Sequence, residues 1–345
     1  MEKNYIIKFN FVTPVHFGDL EQLPNNFSNT DYVLQNDTIF SALMIECIKM
    51  YGEEKVKYIY DTFLNNCKIS SMMPYINDTY FLPKPLLSDK RKEKDNIDVS
   101  KAIENLRFLP ATKIREYVEI LNNEGSLSSF VTYNEDLEKL GKYEVTQKVA
   151  VSRDEEDNLP WSLGTFTFSK DCGTYIIIVA NDEERLLNIV NLFKALQYDG
   201  IGGRRSSGCG HFEIELINLA ETKNKSLIAI NSMLDISKSD YTKNIRIMTL
   251  SLFLPTELKN EDLNDSYYKI VRRSGFVSST KFSEEFVKKD DVYVFMVGST
   301  FTKSSKELLS GQILDVSNNK GSHKVYKHLV PLFLGVGNEW YNDKI

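Results

Sequence analysis

Long apolar runs, paired cysteines and an excess of positive charge are all missing from this sequence. No run reaches 18 apolar residues, which excludes an obvious membrane-spanning helix. The opening stretch "MEKNYIIKFNFVTP" is charged at once and then alternates, without the apolar block and small-residue cleavage site of a secretory signal, so a soluble, cytoplasmic protein is expected. Cysteine is scarce: Cys47, Cys67, Cys172 and Cys209 are scattered and form no CxxC, which gives neither a zinc framework nor a disulfide scaffold. They are expected to be reduced thiols, mostly in the core. The net charge of −6 excludes a surface coated in lysine and arginine for general nucleic-acid binding, because that affinity comes from many cation–phosphate contacts. Any nucleic-acid site must therefore be local.

The chain does have bulk and aromatics. Its 345 residues are 42% hydrophobic and 12% aromatic, enough for a large core and long enough to predict two domains. "YIIKFNFV" (5–12) alternates as a half-buried strand, with Tyr5, Ile7, Phe9 and Phe11 on one face. A polar loop of some two dozen residues follows, and a loop that long in a compact domain is more often functional than idle. "NDTIFSALMIECIKMYG" then reads as a helix, capped by Asn36 or Asp37 and stopped by Gly52. A second helix is predicted over 53–64, and two short strands between Lys68 and Leu87.

"SDKRKEKDNIDVSK" is a dense charge run, expected to be a solvated or disordered excursion, and the segment 88–160 reads as an insertion. Regular structure returns with "WSLGTFTFS" and the apolar strand "TYIIIVA". A helix follows with Asn181 as cap and Leu186, Ile189, Val190, Phe193 and Leu196 as its buried stripe. Next come a glycine-rich loop and the alternating "HFEIELI", with Phe212, Ile214 and Leu216 expected inward. The order predicts an α+β protein: a β-α-β-β-α-β ferredoxin-like (RRM-like) domain over 1–225, interrupted by the insertion 88–160, and a second, degenerate domain of similar kind over 226–345.

The loop is the densest signal. Five of the 17 glycines fall between Gly200 and Gly210, around Arg204, Arg205, Ser206 and Ser207. Gly203 and Gly208 have the spacing of a phosphate-binding P-loop, but Cys209 and Gly210 stand where that motif needs lysine and a hydroxyl residue. The element order is also reversed, since this loop leaves a helix C-terminus and enters a strand. Glycines that admit a bulky ligand, amide groups that can form an anion nest, and two guanidiniums instead predict a polyphosphate ligand, with RNA backbone the obvious one. A plain glycine cap and tight turn would account for one or two of the glycines.

A second basic cluster, "YKIVRRSGFVSSTKF", interleaves Arg272, Arg273, Ser274 and Lys281 with Phe276 and Phe282. It lacks the RNP1 pattern of base-stacking sheets, and a strand with a charged outer face is its plain alternative. Catalytic signals are weak: the four histidines are scattered and no serine or cysteine has a recognisable base partner. His16, in the long loop, is read as structural or RNA-contacting, with a general base of a metal-free ribonuclease as the alternative. His211, His323 and His328 are assigned packing roles in strands, and Asp31, Asp37, Asp154 and Glu155 show no paired metal-site spacing. No metal and no cofactor are expected.

With these landmarks in order, "FVTPVHFGD", "QNDTIFSALM", "VAVSRDEEDNLPWSLGTFTFS", "GIGGRRSSGCGHFEI" and "GSHKVYKHLVPLFLGV" together resemble the RAMP superfamily of CRISPR proteins, and within it the fourth Csm subunits of type III-A effector complexes, relatives of the Cas5 group. The resemblance implies a non-catalytic subunit that binds the 5′ repeat-derived tag of the guide RNA. It also implies two protein partners, a large polymerase/cyclase-like subunit and a backbone RAMP subunit. On these residues it implies that Gly202, Gly203, Arg204, Arg205, Ser206, Ser207 and Gly208 cradle tag phosphates, that Arg153 belongs to a thumb hairpin, and that Arg272, Arg273 and Ser274 lie near the RNA. Some superfamily members cleave CRISPR transcripts without metal, which keeps the endoribonuclease alternative at His16 in view.

Overall fold

Alternation along Lys3–Phe11 produces the strand β1, buried at Asn4–Ile7 and at Phe9. The computed structural model describes residues 2–18, 28–150, 159–238, 245–277, 287–302, 310–318 and 321–336. After β1 come α1 (Asn36–Tyr51), α2 (Val56–Asn65), β2 (Cys67–Ile69), β3 (Met73–Ile76) and β4 (Thr79–Pro83). They are followed by α3 (Ile97–Asn105), β5 (Phe108–Pro110), α4 (Ile114–Asn122), α5 (Thr132–Glu138), and the antiparallel hairpin β6 (Gly141–Ala150) and β7 (Leu159–Phe168). The first half ends with β8 (Cys172–Ala180), α6 (Glu183–Asp199) and β9 (Phe212–Asn218).

One antiparallel sheet runs in the order β5-β4-β3-β8-β1-β9, with β2 also paired to β8. β1 sits between β8 (Ile6 opposite Ile177) and β9 (Phe9 opposite Ile214). Phe9 meets Phe193 of α6 edge-on with ring centroids 5.5 Å apart. On the other face Asn4 donates to Asn231 at 2.8 Å, which docks α7 (Lys225–Lys238). Every residue of β8 is buried, as the continuous apolar run predicted.

Several expectations change on inspection. The charge run 88–101 is largely exposed apart from Arg91, but the rest of the segment it opens packs into the core. Phe108–Pro110 adds a strand to the main sheet, Ile103, Leu106, Ile114, Tyr117 and Leu121 enter the main core, and Arg91 is only 6% exposed. Its guanidinium holds Asp89 and Asp95 at 2.8 and 2.6 Å, which keeps both carboxyls below the usual carboxylate range. The charge run therefore closes on itself. For Asp89 the hydrogen bonds from Arg91 dominate; for Asp95 burial opposes the shift but Ser126 and Arg91 outweigh it. The cap of α6 is Asp182, whose side chain accepts from the Arg185 amide, one residue beyond the expected Asn181. On the edge strand β9, Phe212 is buried but Leu216 is exposed. His323 is exposed in a bend and not packed in a strand.

The second half contains β10 (Arg246–Thr249), β11 (Ile270–Arg273), β12 (Val292–Phe295), β13 (Thr300–Thr302), β14 (Gln312–Asp315), β15 (Tyr326–Leu329) and β16 (Phe333–Gly335). Among the described residues they form three small sheets, β13-β10-β16, β11-β12 and β14-β15, and not one four-stranded sheet. Phe253, Phe295, Phe301 and Phe333 make a separate aromatic cluster, yet Met248, Leu250, Val330, Leu332 and Leu334 belong to the main core. Apolar burial thus runs continuously across residue 225. All four cysteines are free and buried, and burial pushes the Cys67 thiol up to about 12. Among the described residues no helix is long and apolar enough to cross a membrane.

Asn36, fully buried at the first turn of α1, ties the halves together. Its side chain accepts from the Leu252 amide at 2.8 Å and donates to the carbonyls of Leu252 and His328 at 3.1 and 2.9 Å. It is no cap: the cap position is Gln35, which makes no side-chain cap bond. Removing the amide strands buried backbone groups that water cannot reach, a cost of about 2–4 kcal/mol. Asn36→Ala is therefore expected to lower the unfolding free energy measured in urea by that amount, and Asn36→Gln to recover little of it; equal stability of Asn36→Ala and wild type would show that the tie is dispensable.

Candidate nucleic-acid interface

The glycine-rich loop owes its shape to the residues leaving β1. The amides of Gly203 and Gly210 donate to His16 O and Pro14 O at 2.8 and 2.9 Å, and the Ile201 amide donates to Gly210 O at 2.9 Å. Arg205–Ser207 forms one 3-10 turn after Arg204, which adopts a left-handed φ of 59°. A Cβ at Gly202, where φ is 95°, would stand 2.6 Å from the Phe17 ring, and one at Gly203 would stand 2.7 Å from His16 Cδ2. Those glycines are required by close packing against His16 and Phe17. The amides of Ser207, Gly208 and Cys209 are also committed, to Arg205 and Arg204 carbonyls, which knits the far side of the turn.

Packing the loop beside α1 opens a groove of about 320 Å³, and this groove joins the two basic clusters picked out in the sequence. Gly202, Gly203 and Arg205 line one wall; Arg273 and Ser274 line the other, joined by Lys289 and Lys327. The first turns of α1 contribute Asp37, Thr38 and Ser41. Four cations thus face one carboxylate. Neither Lys289, which follows Lys288 ahead of a strand, nor Lys327, inside one, stands out in the sequence.

Asp37 was expected to cap α1 and does not. Arg273 grips it from two sides, Nε to Oδ2 at 3.0 Å and Nη2 to Oδ1 at 2.8 Å, and Nη2 also donates to Thr38 Oγ1 at 3.1 Å. Burial alone would raise the Asp37 carboxyl, but the charge and hydrogen bonds of Arg273, aided by Lys327 and Lys289, hold it below its ordinary value of 3.8. Lys327 is 2% exposed and donates to Arg273 O at 2.6 Å. Burial pulls its ammonium down to about 8, against the opposing pull of Asp37, and burial lowers Lys289 too. The adjoining His328 is enclosed by Phe40 and Phe63, a packing role as expected, and burial depresses it to about 4. It is neutral at physiological pH.

Other nominated residues lie elsewhere. Arg204 stacks its guanidinium 4.3 Å over the ring of Trp161 on β7, linking the loop to the hairpin. Arg272 occupies the outward face of β11, 3.9 Å from Asp291, and does not line the groove. Ser206, Ser207 and Gly208 are exposed on the outer side of the turn. His16 is 8% exposed behind the loop, with Nδ1 2.7 Å from Gly164 O of β7. Arg153 and Lys281 lie outside the described residues. Among the described residues no group of three or more His, Cys, Asp or Glu side chains could hold a metal ion.

The RAMP superfamily model matches residues 8–213, more than half of the chain and the whole span from β1 to the glycine-rich loop. The chain belongs to the RAMP superfamily. A second model, the CRISPR Csm4 C-terminal domain, matches residues 242–336, which carry Arg273, Lys289 and Lys327. CRISPR system Csm4 proteins align along nearly the full length: that of Mycobacterium tuberculosis is 28% identical over 96% of this chain and 97% of its own, and that of Streptococcus thermophilus 29% over the same shares. Among solved structures, a chain of the Csm3-Csm4 subcomplex of the type III-A interference complex superposes with a TM-score of 0.62 at 19% identity, over 96% of this chain and 98% of that one. A chain of the Csm1-Csm4 cassette with AMPPNP gives 0.57 at 17%, over 97% and 98%. These two likenesses speak to the fold.

The Asp37–Arg273 pair sets an acid limit. A carboxyl held below its unfolded value contributes stability above that value and loses it as pH falls through the folded one. Breaking a buried pair from one side costs about 3–5 kcal/mol. Asp37→Asn is expected to lose that much at pH 7 and to narrow the gap to wild type as the pH falls below 3.8, as followed by urea unfolding at each pH; a constant gap would rule the pair out as the cause.

Proposed function

We propose that this chain is a non-catalytic RNA-binding subunit of a type III-A CRISPR effector complex, serving antiviral defence in the cytoplasm. It grips the 5′ repeat-derived tag of the guide RNA and links the large, Csm1-type subunit to the backbone RAMP, Csm3-type subunit. The observation that carries this reading is the groove between the glycine-rich loop and β11, where Arg205, Arg273, Lys289 and Lys327 face Asp37 alone. A local basic groove on a chain of net charge −6 suits one defined RNA segment and disfavours arbitrary RNA. The partners are inferred from the full-length likeness to Csm4 proteins and from the solved pairings of Csm4 with Csm3 and with Csm1. The strand order β9-β1-β8-β3, with α1 and α6 between the strands in sequence, is read as a ferredoxin-like unit over 1–225, with a second, degenerate one over 226–345.

Endonuclease chemistry at His16 is the poorer reading. A general base must reach the 2′-hydroxyl it deprotonates, whereas the His16 ring is buried between Gly203 and Gly164. In EDTA, repeat RNA is expected to remain intact with wild type and with His16→Ala; site-specific cleavage lost in His16→Ala would replace the scaffold reading with a nuclease.

Each phosphate neutralised on single-stranded RNA adds roughly 0.7 to the slope of log K against log salt. Arg205→Ala is expected to lower that slope by about 0.7 with tag RNA. Arg204→Ala, whose guanidinium lies on Trp161, should lower it less. An unchanged slope in Arg205→Ala would take the loop out of the RNA site.

A further inference from the structure

The inner wall of the groove is unevenly charged. Arg273 and Asp37 neutralise each other, which leaves Lys289 and Lys327 on the same wall without an acid of their own. The bond from Lys327 goes to a neutral carbonyl, and Lys289 Nζ makes no hydrogen bond or ion pair among the described residues. The next acid, Asp291, is already shared by Lys288 at 3.1 Å and Arg272 at 3.9 Å. His328 is neutral and supplies no charge. Buried ammonium groups without a counter-charge are costly, and the protein meets that cost by letting them lose protons more readily. An anion brought between them reverses the trade.

We infer that Arg273, Lys289 and Lys327 form a seat for a single phosphate, and that filling it draws a proton from solution. This rests on the RNA reading of the groove and names the part of the RNA that enters it: one backbone phosphate, gripped deeper than those at Arg205. The two charged oxygens of a backbone phosphate can each accept more than one hydrogen bond, enough for the ammonium groups and the guanidinium that line the groove, and Thr38 and Ser41 line the same space. The groups facing Lys327 are Asp37 from α1, Arg273 from β11, and Lys289 and Asp291 just before β12; of these the two acids are already paired. The pull of burial on Lys327, to about 8, puts the exchange within reach of measurement.

Isothermal titration of the full chain with tag RNA, in two buffers of different ionisation enthalpy, reads the proton directly. Near pH 8 wild type is expected to take up about half a proton per RNA, and close to none at pH 6.5, where Lys327 is already charged. Lys327→Met, close in shape and free of charge, should still bind RNA, more weakly, with the uptake at pH 8 lost. RNA binding at pH 8 without uptake, or uptake unchanged in Lys327→Met, would overturn the seat. If RNA does not bind at any pH, the RNA reading of the groove falls, and sulfate, a tetrahedral dianion with no proton of its own to exchange near pH 8, becomes the probe: uptake with sulfate keeps the seat, and none removes it.

Discussion

A carboxylate cut off from water has to be matched by a cation, and in this protein that requirement joins two segments 236 residues apart. Asp37 lies at the start of α1, Arg273 at the end of β11, and the bidentate bond between them fixes where the second half of the chain meets the first. Asn36, one residue earlier, makes the same connection through neutral hydrogen bonds to Leu252 and His328. The groove follows from this docking. Its two walls belong to different halves of the sequence, so it does not exist in either half alone.

The sequence made some of this legible and hid the rest. Five glycines around two arginines marked the loop because no ordinary turn needs so many, and the loop does line the groove. The reason for two of those glycines was hidden, however: His16 and Phe17, nearly 190 residues upstream, press against Gly202 and Gly203. Asn36 and Asp37 fit the rule for helix caps, and local chemistry would have used them so had Leu252 and Arg273 not claimed their side chains. Lys289 and Lys327 carried no local signal. A single lysine in a strand is ordinarily a solvated side chain, and only the packing of β15 against α1 buries this one.

How far the segment 88–160 joins the core was hidden for a related reason. Its average composition is charged, and averages conceal a buried stripe. Ile103, Leu106, Phe108, Leu109, Ile114 and Tyr117 are enough to anchor two helices and a strand, while Arg91 satisfies the acids around it. Charge density predicts solvation only when the charges are not already one another's partners.

The hydrogen bonds that knit the glycine-rich loop to Pro14 and His16 have a thermodynamic consequence. A loop pinned to its neighbours in this way has surrendered much of its conformational entropy during folding, so a ligand arriving at its inner wall need not order it. The same knitting forbids adjustment: the wall cannot reshape itself around a chain of different pitch, and a poor fit is rejected through lost contact and not through strain shared by both partners. Selectivity in such a groove is a property of the empty protein.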